Sequence, residues 1–396
     1  MKILYITHSC PYPPNKGDRI RSFHLLRHLS SQHNVTLIYP SFSTHDLNQR
    51  EVLKNYCAEV LAVPHSPFLA KINCLLALLQ GRSLTLGYFY SSGLQGSIER
   101  GRYDVVVADC SSMAQYVLDF PHPKVVDFVD VDSEKWKTYA QTSSFPVSWL
   151  YRLEYQRLRR FEQEIIERSG ACLVTSEQER QYLGQSDHVF VAPNGVDLAY
   201  FNPDRKDSAD VNNTLLFMGA MNYFPNIDGV EYFIREIFPL IKQQIPTAKF
   251  VIAGMHPAKR VQRLAGSDVI VTGSVPDMRP YLNEATVSVV PLRIARGIQN
   301  KILEAMAMKV PVVATSVSNA GIHAQEGVEI LLADAPELFA KAVVKLLREP
   351  HLRECLAMKA RQLVENRFSW EHSLQQLDVA IGRAQAGHGK AKDLCS

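Results

Sequence analysis

From its first residues the chain alternates short runs of branched apolar side chains with longer stretches in which apolar positions recur every three or four residues. Ile3 to His8, Val35 to Tyr39, Val60 to Val63, Val105 to Ala108, Val125 to Val129, Cys172 to Thr175 and Val189 to Ala192 are mostly apolar, interrupted at Thr7, His8, Thr36, Asp127 and Thr175. Such runs predict strands covered on both faces, as in a parallel sheet between two layers of helix. The intervening stretches, from Ile20 to Leu29 and most plainly from Ser148 to Arg168, carry the helical spacing. The segment Asp197 to Asn213 is polar, rich in aspartate and asparagine, and reads as a linker. The alternation then restarts at Leu215 to Met218, Phe250 to Ala253, Val269 to Thr272, Val287 to Val290, Val312 to Ala314 and Ile330 to Ala333.

This pattern predicts an α/β chain of two doubly wound Rossmann-like domains, residues 1–200 and 201–370. A helix from Trp370 to about Ala384, within a segment 371–396, would cross back to the first domain before a frayed tail. Ligands of such sheets bind outside the carboxyl ends of the strands, which points to a cleft between the domains. Composition excludes a disordered chain: 46% of residues are hydrophobic and 21% charged. The net charge of +3, from 43 basic and 40 acidic residues, argues against a nucleic-acid partner. The seven cysteines are scattered without metal-ligand spacing, so neither a disulfide framework nor a zinc site is expected. The apolar run at the N-terminus stops at Thr7-His8, too short for a secretory signal. The run Cys74 to Leu79 is too short to span a bilayer, which takes about 20 residues. A cytoplasmic protein, with a peripheral membrane contact left open, is the expectation.

Candidate chemistry concentrates between Pro291 and Thr315, PLRIARGIQNKILEAMAMKVPVVAT. A strand ends, the chain bends at Gly297, and a helix opens near Asn300. The amides of Gly297, Ile298 and Gln299 beside a helix N-terminus suit a phosphate or diphosphate. Asn300, Lys301 and Glu304 share one helix face. Glu304 lies roughly 6 Å along the axis, about the distance from a nucleotide's phosphates to its ribose hydroxyls. An exposed helix with a solvated Lys–Glu pair accounts for the same spacing.

These residues resemble the nucleotide-sugar motif of family-four glycosyltransferases with the GT-B fold, in which the glutamate matching Glu304 holds the donor ribose. NGVD at 194–197, FMGAMNYFPN at 217–226, VIAGMHP at 251–257 and VTGSVPDMRPYL at 271–282 follow in the order expected of that family. PYPPNKGDRIRSFHLLRHL, VDFVDVDSEKW and PLRIARGIQNKILEAMAM more narrowly resemble the sugar transferases of PEP-CTERM/exosortase exopolysaccharide loci. The resemblance implies a donor site that includes Gly219 and Asn226. Two features depart from it. Arg296 stands where a second glutamate is usual, and Ala220 and Met221 stand near where a basic residue is usual. Arg293, Arg296 and Lys301 are available to supply the positive charge instead.

In the first domain, the loop after the first strand carries Lys16, Gly17 and Arg19, which in the resembling enzymes faces the donor diphosphate and the acceptor. Asp130 and Asp132 follow another strand, and either could position or deprotonate an acceptor hydroxyl; helix capping by Asp132 is the plainer alternative. Ser111 and Ser112 could line the same side, or Ser111 could cap a helix. Asp130-Val-Asp132 has the D-x-D form that binds a divalent metal in a different glycosyltransferase fold but is common by chance and is discounted, and His8, His24 and His28 lack a carboxylate at zincin spacing. The helix bearing Tyr151, Arg152, Tyr155, Arg157, Arg159 and Arg160 either rests on an anionic membrane or, given Glu154, Glu162, Glu164 and Glu167, is a solvated helix between domains.

The resemblance implies transfer of a sugar from a nucleoside-diphosphate sugar to a glycan or lipid-linked glycan in exopolysaccharide synthesis, with retention and without metal or other cofactor. A nucleotide-sugar epimerase on the same fold, and a non-catalytic glycan-binding or assembly protein, remain alternatives.

Overall fold

The computed structural model describes residues 1–14, 17–99, 101–184, 186–203, 212–295 and 297–393. The chain divides into two compact units, Met1–Pro193 with Ser373–Ser396, and Asn194–His372. The first boundary falls before the expected one at 200 because Val196 bridges to Ser369, and its N–H donates to the Phe368 carbonyl. The start of the expected linker is likewise built into the second unit. Asp197 Oδ1 accepts from the amides of Ala199 and Tyr200, and Leu198 and Phe201 pack against that unit's core. Residues 204–211 of the linker lie outside the described residues.

The first unit holds seven parallel strands: β1 (Lys2–Ile6), β2 (Asn34–Ser41), β3 (Glu59–Pro64), β4 (Val105–Asp109), β5 (Lys124–Asp127), β6 (Ala171–Val174) and β7 (Val189–Val191). Their order is β3-β2-β1-β4-β5-β6-β7, so the winding reverses between β1 and β4. Alternate side chains of β1 enter separate cores: Ile3 and Tyr5 on one face, Leu4 and Ile6 on the other. That is why these strands read as near-continuous apolar runs rather than as alternation.

The helix Trp370–Asp393 contributes Leu377, Ala380, Ile381 and Ala384 to the first of those cores. Its close approach requires a glycine, since a Cβ at Gly170 would lie 2.7 Å from the Ala384 Cα. The helix continues to Asp393, beyond the point at which fraying was expected.

The second unit holds β8 (Thr214–Met218), β9 (Lys249–Ala253), β10 (Val269–Gly273), β11 (Val287–Val290), β12 (Val312–Ala314) and β13 (Leu331–Leu332). The order is β10-β9-β8-β11-β12-β13, all parallel, with the reversal between β8 and β11. Both reversals are places where open α/β sheets leave a crevice at the strands' carboxyl ends.

Candidate functional site

At the reversal in the second unit, β8 and β9 run straight into glycines. Gly219 and Gly254 both have φ of +154°. A Cβ on Gly254 would fall 1.7 Å from the Gly219 carbonyl oxygen, and one on Gly219 would fall 2.7 Å from Asn226 Nδ2. Only bare backbone lets these two turns close on each other. Gly254→Ala is therefore expected to cost about 3 kcal/mol or more in urea unfolding, from combined overlap and backbone strain. A variant that unfolds with wild type would mean that the two turns can part freely.

After β11 the loop of residues 291–299 is pinned at Leu292, whose carbonyl accepts from Thr315 Oγ1 at 2.6 Å. Gly297 turns with φ +58°, and Gly321 lies so close beneath it that a Cβ there would meet the Gly297 oxygen at 2.4 Å. Ile298 packs against the core. Gln299 ends the loop without a side-chain cap, and the helix Asn300–Ala307 begins. The first turn of a helix leaves its N–H groups without intrahelical acceptors, which favours an anion there. Asn300 Oδ1 is buried with no hydrogen-bond partner among the described residues, an acceptor awaiting a donor.

One step along the helix, Lys301 reaches back to β8. Its Nζ donates to Asn226 Oδ1 at 2.5 Å and sits 4.6 Å from the centre of the Phe217 ring. Asn226 is held in turn by the Ala220 carbonyl at 3.0 Å. The structure thus brings Gly219, Asn226, Lys301 and Glu304 into one cluster. Its positive charge comes from the helix rather than from the loop after β8, where Met221 is fully buried. Burial pushes Lys301 down to about 7 and Glu304 up to about 7, each held back by the charge of the other. Arg293, expected to help with the diphosphate, is engaged elsewhere: Asp228 accepts from it at 3.0 and 2.5 Å, and it covers the Tyr232 ring. Arg296 lies outside the described residues.

The first unit assembles a second polar cluster at its own reversal. His8 follows β1, and its Nδ1 lies 3.2 Å from Asp109 Oδ2 at the end of β4 and 3.2 Å from Cys110 Sγ. Ser22 donates to the same Asp109 oxygen at 2.8 Å, while Asp109 Oδ1 is buried without a partner. The ligand atoms of His8, Asp109 and Cys110 lie within 4.8 Å of one another, a set able to hold a metal ion. Burial pushes the Cys110 thiol up to about 12, so the sulfur keeps its proton in the absence of a cation.

Beside this group, Ser111 donates to Asp132 Oδ2 at 3.3 Å. Asp132 is the first residue of the helix Asp132–Thr142, whose cap position is Val131, and Ser111 follows the cap residue Cys110 in the same way. Neither is a helix cap; the two meet across adjacent strand ends. Burial raises the Asp132 carboxyl, opposed by Lys135 and His8. Ser112 is buried beneath them, and Asp130 is exposed on the bend that follows Val129. Val129 itself has φ +62° and Cys110 φ +71°, left-handed values that strain side-chain-bearing residues.

Arg19 pairs with Asp46 at 3.2 Å. Gly17 opens the helix Gly17–Gln32, and Lys16 lies outside the described residues. The helix Val147–Arg168 is packed rather than solvated, with Leu158, Ile165, Glu154 and Glu162 buried. Glu154 accepts from Ser83 Oγ, Thr85 Oγ1 and the amides of Leu84 and Thr85, so it caps the helix Leu84–Phe89. Glu162 accepts the Ser133 amide at 2.9 Å, leaves Oε2 without a partner, and is pushed up to about 8 by burial. Sequence reasoning passed over the His8–Asp109 contact and Glu162. Their shared signal is position at or facing strand ends, readable only once the strand order is known.

Residues 212–349 match the family model described as Glycosyl transferases group 1. The chain is 20% identical over 391 residues to a 44.6 kDa protein of the cps region of Klebsiella pneumoniae, covering 93% of this chain and 96% of that one. It is 22% identical over 202 residues to the Staphylococcus aureus capsular polysaccharide biosynthesis glycosyltransferase CapM, covering 48% and 53%. Among solved structures it is similar to Anabaena HepE in complex with UDP-glucose, with TM-score 0.69 at 15% identity, covering 96% of this chain and 99% of that one. Residues 212–349 of the second unit thus match the group 1 glycosyltransferase model, and the chain has the two-sheet α/β fold seen in GT-B structures.

Proposed function

We propose that this chain transfers a sugar from a nucleoside-diphosphate sugar to a hydroxyl of a glycan or lipid-linked glycan in the synthesis of a surface polysaccharide. The observation that carries this reading is the convergence of Gly219, Asn226, Lys301 and Glu304 at the open first turn of the helix Asn300–Ala307. In it, the diphosphate lies against the helix amides and the Lys301 ammonium, and Glu304 accepts from the ribose hydroxyls. Fixed amides and a cation can stabilise the departing diphosphate, which is the charge that grows as the glycosidic bond breaks. The capsular assignment of CapM and the UDP-glucose bound by HepE agree with a donor and product of this kind. We extend the reading to a donor site that works without a metal and to retention of configuration, both from the family resemblance.

In the first unit we assign Asp132 the role of orienting or deprotonating the acceptor; its raised carboxyl, held by Ser111, supports that role. The test is product analysis with UDP-, GDP-, ADP- and TDP-sugars, with and without glycan extract. Acceptor-dependent nucleotide release from one donor supports transfer, whereas conversion of the free donor with no acceptor present would establish an epimerase. Asp132→Asn is expected to lower transfer about 10²-fold or more while leaving nucleotide affinity as in wild type. Equal transfer by that variant would remove Asp132 from the reaction.

A further inference from the structure

The helix Pro67–Leu79 in the first unit is packed the wrong way round for a water-facing surface. It docks through small or polar residues: Ala70 and Ala77 are buried, Asn73 Nδ2 donates to the Tyr90 carbonyl at 3.1 Å, and Cys74 Sγ lies 3.4 Å from the Leu84 carbonyl. Gly87 permits this close seat, since a Cβ there would fall 2.8 Å from Ala77 Cβ. The large apolar side chains point outward. Phe68, Leu69, Ile72, Leu75, Leu76 and Leu79 form one helical stripe, and Phe68 and Leu79 keep 71% and 76% of their surface in solvent. A contiguous exposed stripe of this size marks an interaction surface.

A second apolar projection belongs to a helix hydrogen-bonded to this one. Phe145, in the turn before the helix Val147–Arg168, and Trp149, in its first turn, are 81% and 60% exposed. Further along that helix, Glu154 holds residues 83–85, and Arg157 donates to the Leu78 and Arg82 carbonyls at the end of the apolar helix. Trp149 is therefore one and a half turns, about 7.5 Å, up the helix from the Glu154 contact.

We propose that the stripe of the helix Pro67–Leu79, with Phe145 and Trp149, seats the first unit on an anionic lipid surface. Charge selects this occupant. Residues 60–98 contain Lys71 and Arg82, and residues 135–153 contain Lys135 and Arg152 besides Lys137, which pairs with Glu134 at 3.0 Å; neither segment contains an aspartate or glutamate. A second copy packed symmetrically on the same stripe would set these like charges against each other with no acidic residue of either segment to pair them. An anionic bilayer pairs them and takes the leucines and the tryptophan at its interface. The helix of 13 residues is about 20 Å long, short of the hydrocarbon core, so it lies in the interface. No helix among the described residues is long and apolar enough to cross a membrane. The inference does not depend on the sugar-transfer reading.

The test is co-sedimentation of the full chain with phosphatidylcholine vesicles, with and without about a third phosphatidylglycerol. The wild type is expected to pellet with the anionic vesicles, less at high salt, and at least about tenfold more weakly with neutral ones. Leu75→Ser with Leu79→Ser should lower the partition about 100-fold, roughly tenfold per leucine. Lys71→Glu with Arg82→Glu should abolish the preference for anionic vesicles. These side chains face solvent, so circular dichroism melting should be as in wild type, and nucleotide binding should be unchanged. A wild type that stays in the supernatant overturns the proposal, as does a leucine variant that pellets fully. So does sedimentation velocity showing that the same leucines hold a dimer while vesicle binding is unaffected.

Discussion

The paired replacement Lys301→Met with Glu304→Leu is expected to raise stability at pH 7 while abolishing nucleotide binding. Lys301 is lowered from 10.5 to about 7 and Glu304 is raised from 4.5 to about 7, both because burial disfavours the charged form. The folded chain therefore holds two groups that are each about half-protonated near pH 7, where in water the carboxyl would be ionised and the amine protonated. For Glu304, whose value is raised, the contribution to stability is full below about pH 4.5 and is lost as pH rises through about 7. For Lys301, whose value is lowered, the unfolded chain binds the extra proton between about 7 and 10.5, so stability returns as pH rises through that window. The two slopes meet near neutrality, and the wild type should show a shallow minimum of stability there. Replacing these two half-buried charges by apolar residues of similar volume is expected to stabilise by about 1 kcal/mol or more. Urea unfolding across pH 5 to 9 should show the minimum in wild type and its loss in the double variant, with calorimetry showing no nucleotide bound. Glu304→Ala alone should weaken the nucleotide by about 1.5–3 kcal/mol, roughly 10- to 150-fold, for the lost ribose hydrogen bonds. Undiminished binding by Glu304→Ala would remove the ribose assignment. A double variant no more stable than wild type would show that the pair is not held for a ligand at a cost in stability.

The largest loss of stability is expected at Arg21. Its side chain is fully buried and donates to Asp127 through Nε at 2.6 Å and Nη2 at 2.9 Å, while Nη1 donates to the Ala192 carbonyl at 2.8 Å. Three segments meet on this one guanidinium: the helix Gly17–Gln32, the end of β5, and the chain leaving β7. The carboxylate beside it is also fully buried. Arg21→Met should cost about 3–5 kcal/mol, because it strands the Asp127 charge without a counter-ion. Asp127→Leu should cost a similar amount from the other side, since it leaves the Arg21 charge alone. The paired replacement Arg21→Met with Asp127→Leu should cost clearly less than the sum, since neither charge is left alone. Urea unfolding of the three variants measures this; strictly additive losses would mean that the ion pair contributes nothing as a pair.

Several elements were readable in the chain because their causes are local. The strands are near-continuous apolar runs because both sheet faces are covered, and covering requires no knowledge of strand order. The bend at Gly297 and the helix opening at Asn300 follow from a glycine and a change of periodicity. The Lys301–Glu304 spacing follows from the helical repeat. Where reading failed, the cause lay at a distance. Glu154 and Glu162 looked like marks of a solvated helix, yet each is buried against a helix N-terminal amide contributed from elsewhere in the chain. Arg293 looked free for a phosphate, and its partner Asp228 is far off in sequence. The residues after Asp197 looked like a linker, and their apolar members dock on a core that does not exist until the second unit folds.

The sequence by itself determined the two α/β units, the helix that would carry the donor site and the residue types available there. Propensity, periodicity and spacing act within a few residues, and they suffice for that. The tertiary structure alone decided which strand ends are neighbours. It brought His8 to Asp109 and Ser111 to Asp132, closed Gly254 on Gly219, and carried Lys301 to Asn226. It also decided that the helix Pro67–Leu79 would turn its alanines inward and its leucines out. These pairings depend on strand order and on which helix face finds a close-packed seat, and both are set by contacts between segments far apart in the chain.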